Sequence, residues 1–271
     1  MNMIGIVQGR VSPPVNGAIQ AFPKDTWRDE FKIVSEIGYD AMELVFDDCE
    51  NPLLDFEKAQ EIKKLADTSG ITISSVSVDY TMHYPLFGET MMKSIRVVQE
   101  LIRRCYDIGI HRIGIAFEDN SSITATSQRN QSIYAVQECV KIAEALNIIV
   151  TIETSLLVAN VKEFIRRIDS PNLKINFDLG NSCAYGEYPP DVIRSLGSLI
   201  GGIHIKDRTM LFGNTVPLGQ GDVDFKACFD ALHDIGYSGS LIIQGARGSD
   251  DVHTAKVYLG FVRSYLRQRW V

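Results

Sequence analysis

The feature that most constrains this chain of 271 residues is an alternation of short apolar segments with longer segments of helical periodicity. The short segments are rich in β-branched residues, as buried strands are, and the longer ones place apolar residues on one side of a helix. Strands that alternate with helices usually pair in parallel, because each helix carries the chain back along the sheet. The pattern therefore predicts an α/β protein built from repeated strand–helix units.

Eight such units can be counted. We predict strands at residues 3–7, 41–46, 72–78, 112–116, 148–153, 174–178, 202–205 and 241–244. We predict helices within residues 26–38, 56–70, 94–109, 131–146, 161–168, 190–197, 224–236 and 254–269. Eight strands, each followed by a helix, indicate a closed (β/α)8 TIM barrel, with residues 1–271 as a single domain. The alternative is an open doubly wound sheet, which usually has fewer units and a GxGxxG turn where this chain has VQGRV.

Charge and composition exclude several classes of function. The formal net charge is −7 and the pI is near 5.3, whereas a nucleic-acid partner requires a basic face. The chain contains no apolar run long enough for a membrane span, and its N-terminus lacks the features of a signal peptide, so we expect a cytoplasmic protein with no membrane partner. The five cysteines are scattered and form no CxxC motif, which favours free thiols over disulfides.

Four successive predicted strands of the second half end on polar side chains: Glu153, Asp178, His204 and Gln244. In such barrels the active site lies at these strand ends, and neighbouring strands are just under ~5 Å apart. One nitrogen and three oxygen donors suit a divalent ion such as Mn, Co, Mg or Zn. We therefore predict one divalent metal ion, although polar strand ends are partly chance and His204 alone would fit a buried structural histidine.

Arginines near the first and last strands are candidates for binding an anion. Arg10 and its neighbour Gln8 lie where the first strand opens into the predicted site, and Arg247 follows the last strand. A guanidinium group binds phosphate or carboxylate with two parallel hydrogen bonds. If both arginines face the pocket, a phosphorylated or carboxylated substrate is expected. The alternative is that they pair with local acids such as Glu43.

The motifs FDLGNSCAYG, GGIHIKDR, VPLGQGDVDF and YSGSLII follow one another from residue 177 onward. In order and spacing they resemble the second half of the L-ribulose-5-phosphate and L-xylulose-5-phosphate 3-epimerases. These belong to the xylose isomerase-like TIM barrels, a family of metal-dependent sugar and sugar-phosphate isomerases and epimerases, and the resemblance covers most of the chain. It implies metal ligands at Glu153, Asp178, His204 and Gln244, a small carbohydrate as substrate, and a homo-oligomer, since relatives are often dimers or tetramers.

The last of these positions departs from the family. The epimerases have a glutamate there, and it and the first ligand act as acid/base groups on opposite faces of the carbon next to the carbonyl. Glu153 can still abstract a proton from that carbon when the metal polarises the carbonyl, but the amide of Gln244 has no useful basicity. The reaction then uses one base, or a second group from elsewhere. The candidates are Lys206, Asp207, His83 and Asp79.

Further residues are expected around the substrate. The resemblance places Asn181 beside the metal, where it would contact a substrate hydroxyl. Glu43 and Asp79 could bind sugar hydroxyls, or could instead be solvated or cap helices. Lys206 would bind an anion or transfer a proton, with Asp207 orienting it, and a surface salt bridge is the alternative for this pair. For Glu118 and Asp119 we expect a solvated loop.

The sequence thus predicts a divalent-metal-dependent isomerase or epimerase acting on a small sugar, sugar phosphate or sugar acid, with Glu153 and Lys206 as catalytic residues. One alternative is a lyase of the same fold that dehydrates a keto-sugar or inositol derivative. Another is a barrel that binds a sugar without converting it, because Gln244 replaces the usual glutamate. An endonuclease of this fold is disfavoured by the acidic pI.

Overall fold

Eight parallel strands close into a barrel in the computed structural model, which describes residues 2–267. The barrel strands are β1 (Ile4–Val7), β2 (Ala41–Val45), β3 (Thr72–Val78), β4 (Arg112–Phe117), β5 (Ile149–Thr154), β6 (Leu173–Asp178), β7 (Ile200–Ile205) and β10 (Leu241–Ile243). Two short strands, β8 (Asp207–Arg208) and β9 (Thr215–Val216), form a separate antiparallel pair after β7. The barrel strands follow chain order, and β10 closes the ring against β1. The predicted TIM barrel is confirmed, and the open sheet is excluded.

Within residues 2–267, eight long helices surround the barrel, and two short ones lie at its mouth. The long helices are α1 (Trp27–Ile37), α2 (Phe56–Ser69), α4 (Met91–Asp107), α5 (Thr126–Ala145), α6 (Val158–Ile168), α8 (Pro189–Leu196), α9 (Phe225–Asp234) and α10 (Asp251–Arg267). The short helices are α3 (Tyr80–His83) and α7 (Leu179–Ala184). The last predicted helical segment extends to Gln268 and Arg269, which lie outside the described residues.

Helix ends follow ordinary capping chemistry. Gly38 and Gly70 terminate α1 and α2 in the left-handed conformation, which glycine adopts without steric cost. Asp178 both ends β6 and caps α7, since its carboxylate accepts a hydrogen bond from the Asn181 backbone N–H. The turn from β6 into α7 therefore places both side chains at the barrel mouth.

Successive side chains of a barrel strand point alternately into the apolar core and into the barrel interior. In β7, Ile203 and Ile205 are fully buried in the apolar core, while His204 between them faces the barrel interior. Gly202 allows a close approach inside the barrel, because a Cβ atom there would lie 2.2 Å from Oδ1 of Asn176. The interior is thus partly polar at the level of His204.

Two further expectations from the sequence concern the cysteines and membrane-spanning helices. All five cysteines are free thiols, four of them buried, and Cys49 is exposed. Within residues 2–267 no helix combines the length and apolar character that a membrane span would need.

Candidate metal and substrate site

Three of the four predicted ligands come together at the carboxyl ends of β5, β6 and β7. Glu153, Asp178 and His204 each offer one ligand atom, and these atoms all lie within 4.8 Å of one another. Nδ1 of His204 is 2.9 Å from Oε2 of Glu153 and 4.0 Å from Oδ2 of Asp178. Neighbouring strands produce this grouping, since Asp178 and His204 are register partners in the β6–β7 ladder.

The donor set fits a divalent cation. Oδ2 of Asp178 is buried and has no hydrogen-bond partner in the described part of the chain. The Lys206 ammonium group lies 3.4 Å from it, an ion-pair distance without hydrogen-bond geometry. A buried carboxylate oxygen without a hydrogen bond is costly, and two carboxylates with one imidazole are ligands that Mn, Co and Zn accept. These three residues therefore have the composition and spacing of a metal site.

The charges of this cluster act on one another. Burial would raise the pKa of Glu153, but the adjacent His204 ring and Lys206 outweigh burial and lower it to about 2. Burial would lower the pKa of His204, but the carboxylates of Glu43 and Glu153 raise it well above its usual value. When no metal ion is bound, the imidazole is therefore doubly protonated, and its positive charge neutralises part of the acidic cluster.

Gln244 follows β10 and lies in a chain of hydrogen-bonded side chains. Its Oε1 accepts a hydrogen bond from Lys206 Nζ at 3.1 Å, and its Nε2 donates to Oε1 of Gln20 at 2.9 Å. Gln20 in turn donates to Oδ2 of Asp79 at 2.7 Å. Both polar atoms of the Gln244 amide are therefore engaged with side chains, and Lys206 bridges Gln244 and Asp178.

A cavity of about 660 Å³ opens above the cluster. Among the predicted site residues, it is lined by Arg10, Asp79, Glu153, Asn181, Lys206 and Gln244. Its other polar or charged lining residues are Gln20, Asp47, Ser77, His83, Glu118, Asp119, Asn120, Tyr185, Arg208, Asn214 and Thr215. The volume suits a small polar ligand such as a monosaccharide.

Several lining groups are held in fixed positions. Nδ2 of Asn181 donates to Oε1 of Glu153 at 3.1 Å, and its Oδ1 accepts from Arg208 at 2.9 Å. Burial raises the pKa of Asp79 to about 6, although hydrogen bonds from Ser77 and Gln20 oppose this rise. The cavity wall therefore presents both donors and acceptors in defined places.

The two arginines expected to bind an anion are occupied by the loop that follows β1. Arg10 donates to the carbonyl oxygen of Ile19 and to Gln20. Arg247 donates to the carbonyl oxygens of Gly9, Ser12 and Ile19 and to Asp251, and it is not among the cavity-lining residues. Burial and the charge of Arg247 lower the pKa of Arg10 to about 10. The condition that both arginines face the pocket is not met, because the loop carbonyls compete for their donors.

Three more predicted contacts, Gln8, Asp207 and Glu43, are absent from the cavity lining. Gln8 accepts a hydrogen bond from the Val45 backbone N–H, which joins the ends of β1 and β2. Asp207 is fully buried, and its carboxylate accepts from the backbone N–H groups of Gly219, Gly221 and Val223. Gln8 and Asp207 are therefore held by backbone donors, and neither is among the cavity-lining residues.

Glu43 is the third predicted contact that is absent from the cavity lining. Its Oε1 is 2.7 Å from Nε2 of His204, and its Oε2 accepts from the Ser75 hydroxyl at 2.6 Å. The expected contact with a sugar hydroxyl is not what the structure places there, since His204 and Ser75 occupy both oxygens.

The solvated loop expected at Glu118 is wrong. Glu118 is 9% exposed, and Oε2 accepts a short hydrogen bond from the Tyr185 hydroxyl, while Oε1 is buried without a hydrogen-bond partner among the described residues. Burial and the charge of Glu153 raise the pKa of Glu118 to about 8. The position of Glu118 directly after β4 is typical of a residue at the barrel mouth, but the segment FEDN is equally typical of a polar turn.

Other site residues were missed by sequence reasoning. Asn176 donates to Oε2 of Glu153 at 2.9 Å, and it alternates along β6 with Asp178, so strand periodicity could have identified it. Gln20 and Arg208 also reach the cavity. Gln20 lies in a loop without periodicity, and no local pattern marks it.

Comparisons with known proteins agree with the geometry. The profile described as the xylose isomerase-like TIM barrel matches residues 31–262. The L-ribulose-5-phosphate 3-epimerase UlaE of Escherichia coli (strain SMS-3-5 / SECEC) is 24% identical over 235 residues, which cover 81% of this chain and 82% of that protein.

Two solved structures show the same fold. A xylose isomerase domain protein from Planctomyces limnophilus superposes with a TM-score of 0.78 at 19% identity, covering 98% of this chain and 96% of that one. D-psicose 3-epimerase from Clostridium cellulolyticum H10, solved with D-tagatose, gives a TM-score of 0.75 at 21% identity, covering 97% of this chain and 99% of that one. At these identities the likeness establishes the architecture.

Proposed function

The chain belongs to the xylose isomerase-like TIM barrel family, and from this premise we propose that it is a metal-dependent isomerase or epimerase of a small sugar. The observation that carries the proposal is the grouping of Glu153, Asp178 and His204 beside a polar cavity, with Oδ2 of Asp178 buried and without a hydrogen bond among the described residues. The names of UlaE and of the structural relatives support sugar epimerisation as the class of reaction.

Glu153, Asp178 and His204 would hold one divalent ion. When bound, such an ion would act as a Lewis acid that raises the acidity of the carbon next to a carbonyl group. Gln244 would complete the set through Oε1, the amide atom that can ligate a metal and that now accepts a hydrogen bond from Lys206. Mn, Co, Mg and Zn all remain candidates for the ion.

Glu153 would be the base that removes the proton. Its carboxylate lines the cavity, and Asn176 and Asn181 each donate to one of its oxygens. These hydrogen bonds orient the carboxylate and hold it in its ionised form, as a proton acceptor requires.

Lys206 would supply the proton-transfer group that Gln244 cannot. Its ammonium group lines the cavity and is bound to Gln244, which directly follows β10 at the position where the epimerases that the sequence resembles have a glutamate. An ammonium group can donate a proton and accept it back, whereas an amide cannot. Proton return from Lys206 to the opposite face of the same carbon would give the epimer. Proton return from Glu153 to the former carbonyl carbon, with transfer of the hydroxyl proton to the former carbonyl oxygen, would give the aldose–ketose isomer.

The cavity favours a polyhydroxylated substrate. Asp79, Asn181 and Arg10 line it and are proposed to contact hydroxyl groups. Gln8, Asp207 and Arg247 would act on substrate only indirectly, by holding the β-strand ends and loops that form the wall. Since Arg10 and Arg247 donate to loop carbonyls, an uncharged sugar is favoured over a phosphorylated or carboxylated sugar that would bind to them.

One observation supports dehydration as a second candidate function. Glu118 lines the cavity, and burial together with the charge of Glu153 raises its pKa to about 8, so that it holds a proton at neutral pH. A protonated carboxyl could transfer that proton to a departing hydroxyl group once Glu153 has removed the carbon-bound proton. Loss of water from the substrate would identify this reaction.

The test begins with metal analysis of protein purified without chelator, beside Gln244→Glu. A panel of ketoses, aldoses and their phosphates is then incubated with each protein in deuterated water. We expect one equivalent of metal in the natural protein and solvent deuterium at a carbon of the converted sugar. Metal and turnover in Gln244→Glu alone would instead show that the natural chain only binds sugars.

Lys206→Met separates the two catalytic roles. We expect this variant to lose epimerisation by about 10²–10⁴-fold, the usual contribution of a general acid or base. Exchange of the carbon-bound proton should persist, because Glu153 is untouched. Equal epimerisation rates in the variant and the natural protein would exclude Lys206 from proton transfer.

A further inference from the structure

The two ring nitrogens of His204 contact two different carboxylates. Nδ1 is 2.9 Å from Oε2 of Glu153 at the candidate metal site, and Nε2 is 2.7 Å from Oε1 of Glu43. The His204 and Glu43 side chains are 1% and 3% exposed. Water therefore competes little for either contact.

Glu43 is itself held in place by side chains from strands β3 and β4. The Ser75 hydroxyl donates to its second oxygen at 2.6 Å, and Arg112 donates to Ser75 Oγ at 3.2 Å. Arg112 is also tied to the carbonyl oxygen of Gly201 on β7. Glu43 is absent from the cavity wall, so its polar contacts lead to the histidine rather than to a substrate.

A histidine that binds a metal must present an unprotonated nitrogen, and its other nitrogen then carries the proton. An acceptor at that second N–H fixes the tautomer and the ring orientation. Asn176 does not select one tautomer of His204, because its Nδ2 lies almost equally far from the two ring nitrogens, 3.2 Å from Nδ1 and 3.1 Å from Nε2. Among the groups described around the ring, Glu43 is the acceptor that contacts Nε2 alone.

We propose that Glu43 is a positioning residue, which accepts the Nε2 proton of His204 and thereby presents Nδ1 to the metal. The inference rests on the proposed function, because it assumes that Glu153, Asp178 and His204 hold the ion. It assigns to the Glu43–Ser75–Arg112 chain the task of supporting the metal centre from inside the barrel.

Glu43→Gln tests this role, with Glu30→Gln as the matched control. Glu30 is also buried and, like Glu43, accepts from a serine hydroxyl, that of Ser12. Its other donor is the Gly9 backbone N–H rather than His204. Mn²⁺ affinity of the metal-stripped proteins is measured by isothermal titration calorimetry. We expect Glu43→Gln to weaken Mn²⁺ binding by about 10–100-fold, as loss of such a partner does elsewhere, and Glu30→Gln to leave it unchanged.

A spectroscopic signature separates positioning from general stability. In protein labelled with ¹⁵N-histidine and loaded with Zn²⁺, His204 should be protonated at Nε2 and metal-bound at Nδ1. Glu43→Gln should shift the ring toward a mixture of tautomers. If this variant does not fold, Ser75→Ala leaves Glu43 in place but removes its support, and it should weaken Mn²⁺ binding several-fold.

The outcomes test the role of Glu43 separately from the metal-dependent function. Metal binding by the natural protein, with unchanged affinity and tautomer in the variants, would overturn the role of Glu43 and leave the proposed function standing. Failure of the natural protein to bind Mn²⁺ or Zn²⁺ would overturn the metal-dependent function and the role of Glu43 with it.

Discussion

At the scale of single residues, the candidate site contains buried carboxylate oxygens that have no hydrogen bond among the described residues. Oδ2 of Asp178 and Oε1 of Glu118 are two such atoms, and both residues border the candidate active site. Burying an ionised carboxylate without hydrogen bonds costs free energy, which can be relieved by a bound cation or by a retained proton. Asp178 is suited to the first solution and Glu118 to the second.

Glu118 should make stability depend on pH. Burial raises its pKa to about 8, above the value of roughly 4.3 in an unfolded chain. Between these values the folded protein keeps a proton that the unfolded chain releases, so rising pH lowers the free energy of unfolding. Glu118→Gln removes this effect, and its stability should fall less than that of the natural protein between about pH 5 and pH 8, by on the order of a few kcal/mol.

Urea denaturation at several pH values measures this difference. The control is Glu89→Gln, a substitution at an exposed glutamate, which should track the natural protein. Parallel curves for all three proteins would show that Glu118 is ionised at neutral pH, and would remove the support for it as a proton donor.

At the scale of elements, the segment between β7 and α9 shows how a loop is held by one side chain. The carboxylate of Asp207 collects three backbone N–H groups between Gly219 and Val223. Gly221 is required for this arrangement, since a Cβ atom there would lie 2.2 Å from Oδ1 of Asp207. The helix that follows, α9, begins at Phe225, and the carboxylate of Asp224 caps it by accepting a hydrogen bond from the Ala227 backbone N–H.

Gly221→Ala should therefore destabilise the protein by about 1–3 kcal/mol, the usual cost of forcing a group into filled space. The matched control is Gly260→Ala in α10, where no atom outside the helix lies within 4 Å of the added methyl group. That change should stabilise the protein by up to about 1 kcal/mol, because alanine favours helices. Urea denaturation measures the free energy of unfolding of both variants. Equal stabilities would contradict the tight fit at Asp207.

At the scale of the whole molecule, the barrel and its helices share one continuous apolar core. Phe164 on α6 is fully buried and packs edge-on against Phe117 on β4, with ring centroids 5.9 Å apart. Because the closed ring leaves no barrel strand with a free edge, we expect the barrel to unfold in one cooperative transition.

Phe164→Ala should lower the free energy of unfolding by about 3–5 kcal/mol through the cavity it leaves. Leu157→Ala, at a side chain that is 50% exposed, should change it by less than about 0.5 kcal/mol. Denaturant titration should show a single transition with the same slope in both variants. Two separate transitions would mean that part of the barrel unfolds independently.

The sequence by itself determined the eight-fold alternation and the strand ends that carry Glu153, Asp178 and His204. These features are local, since the periodicity of a strand or helix and the residue at its end are written in consecutive positions. The tertiary structure decided which polar groups meet. Gln20 reaches Gln244 across 224 positions, and Glu43 reaches His204 across 161. Such pairings arise only when the barrel closes, and for this reason the sequence indicated the candidate metal ligands but not the contacts of Glu43, Glu118 and Arg247.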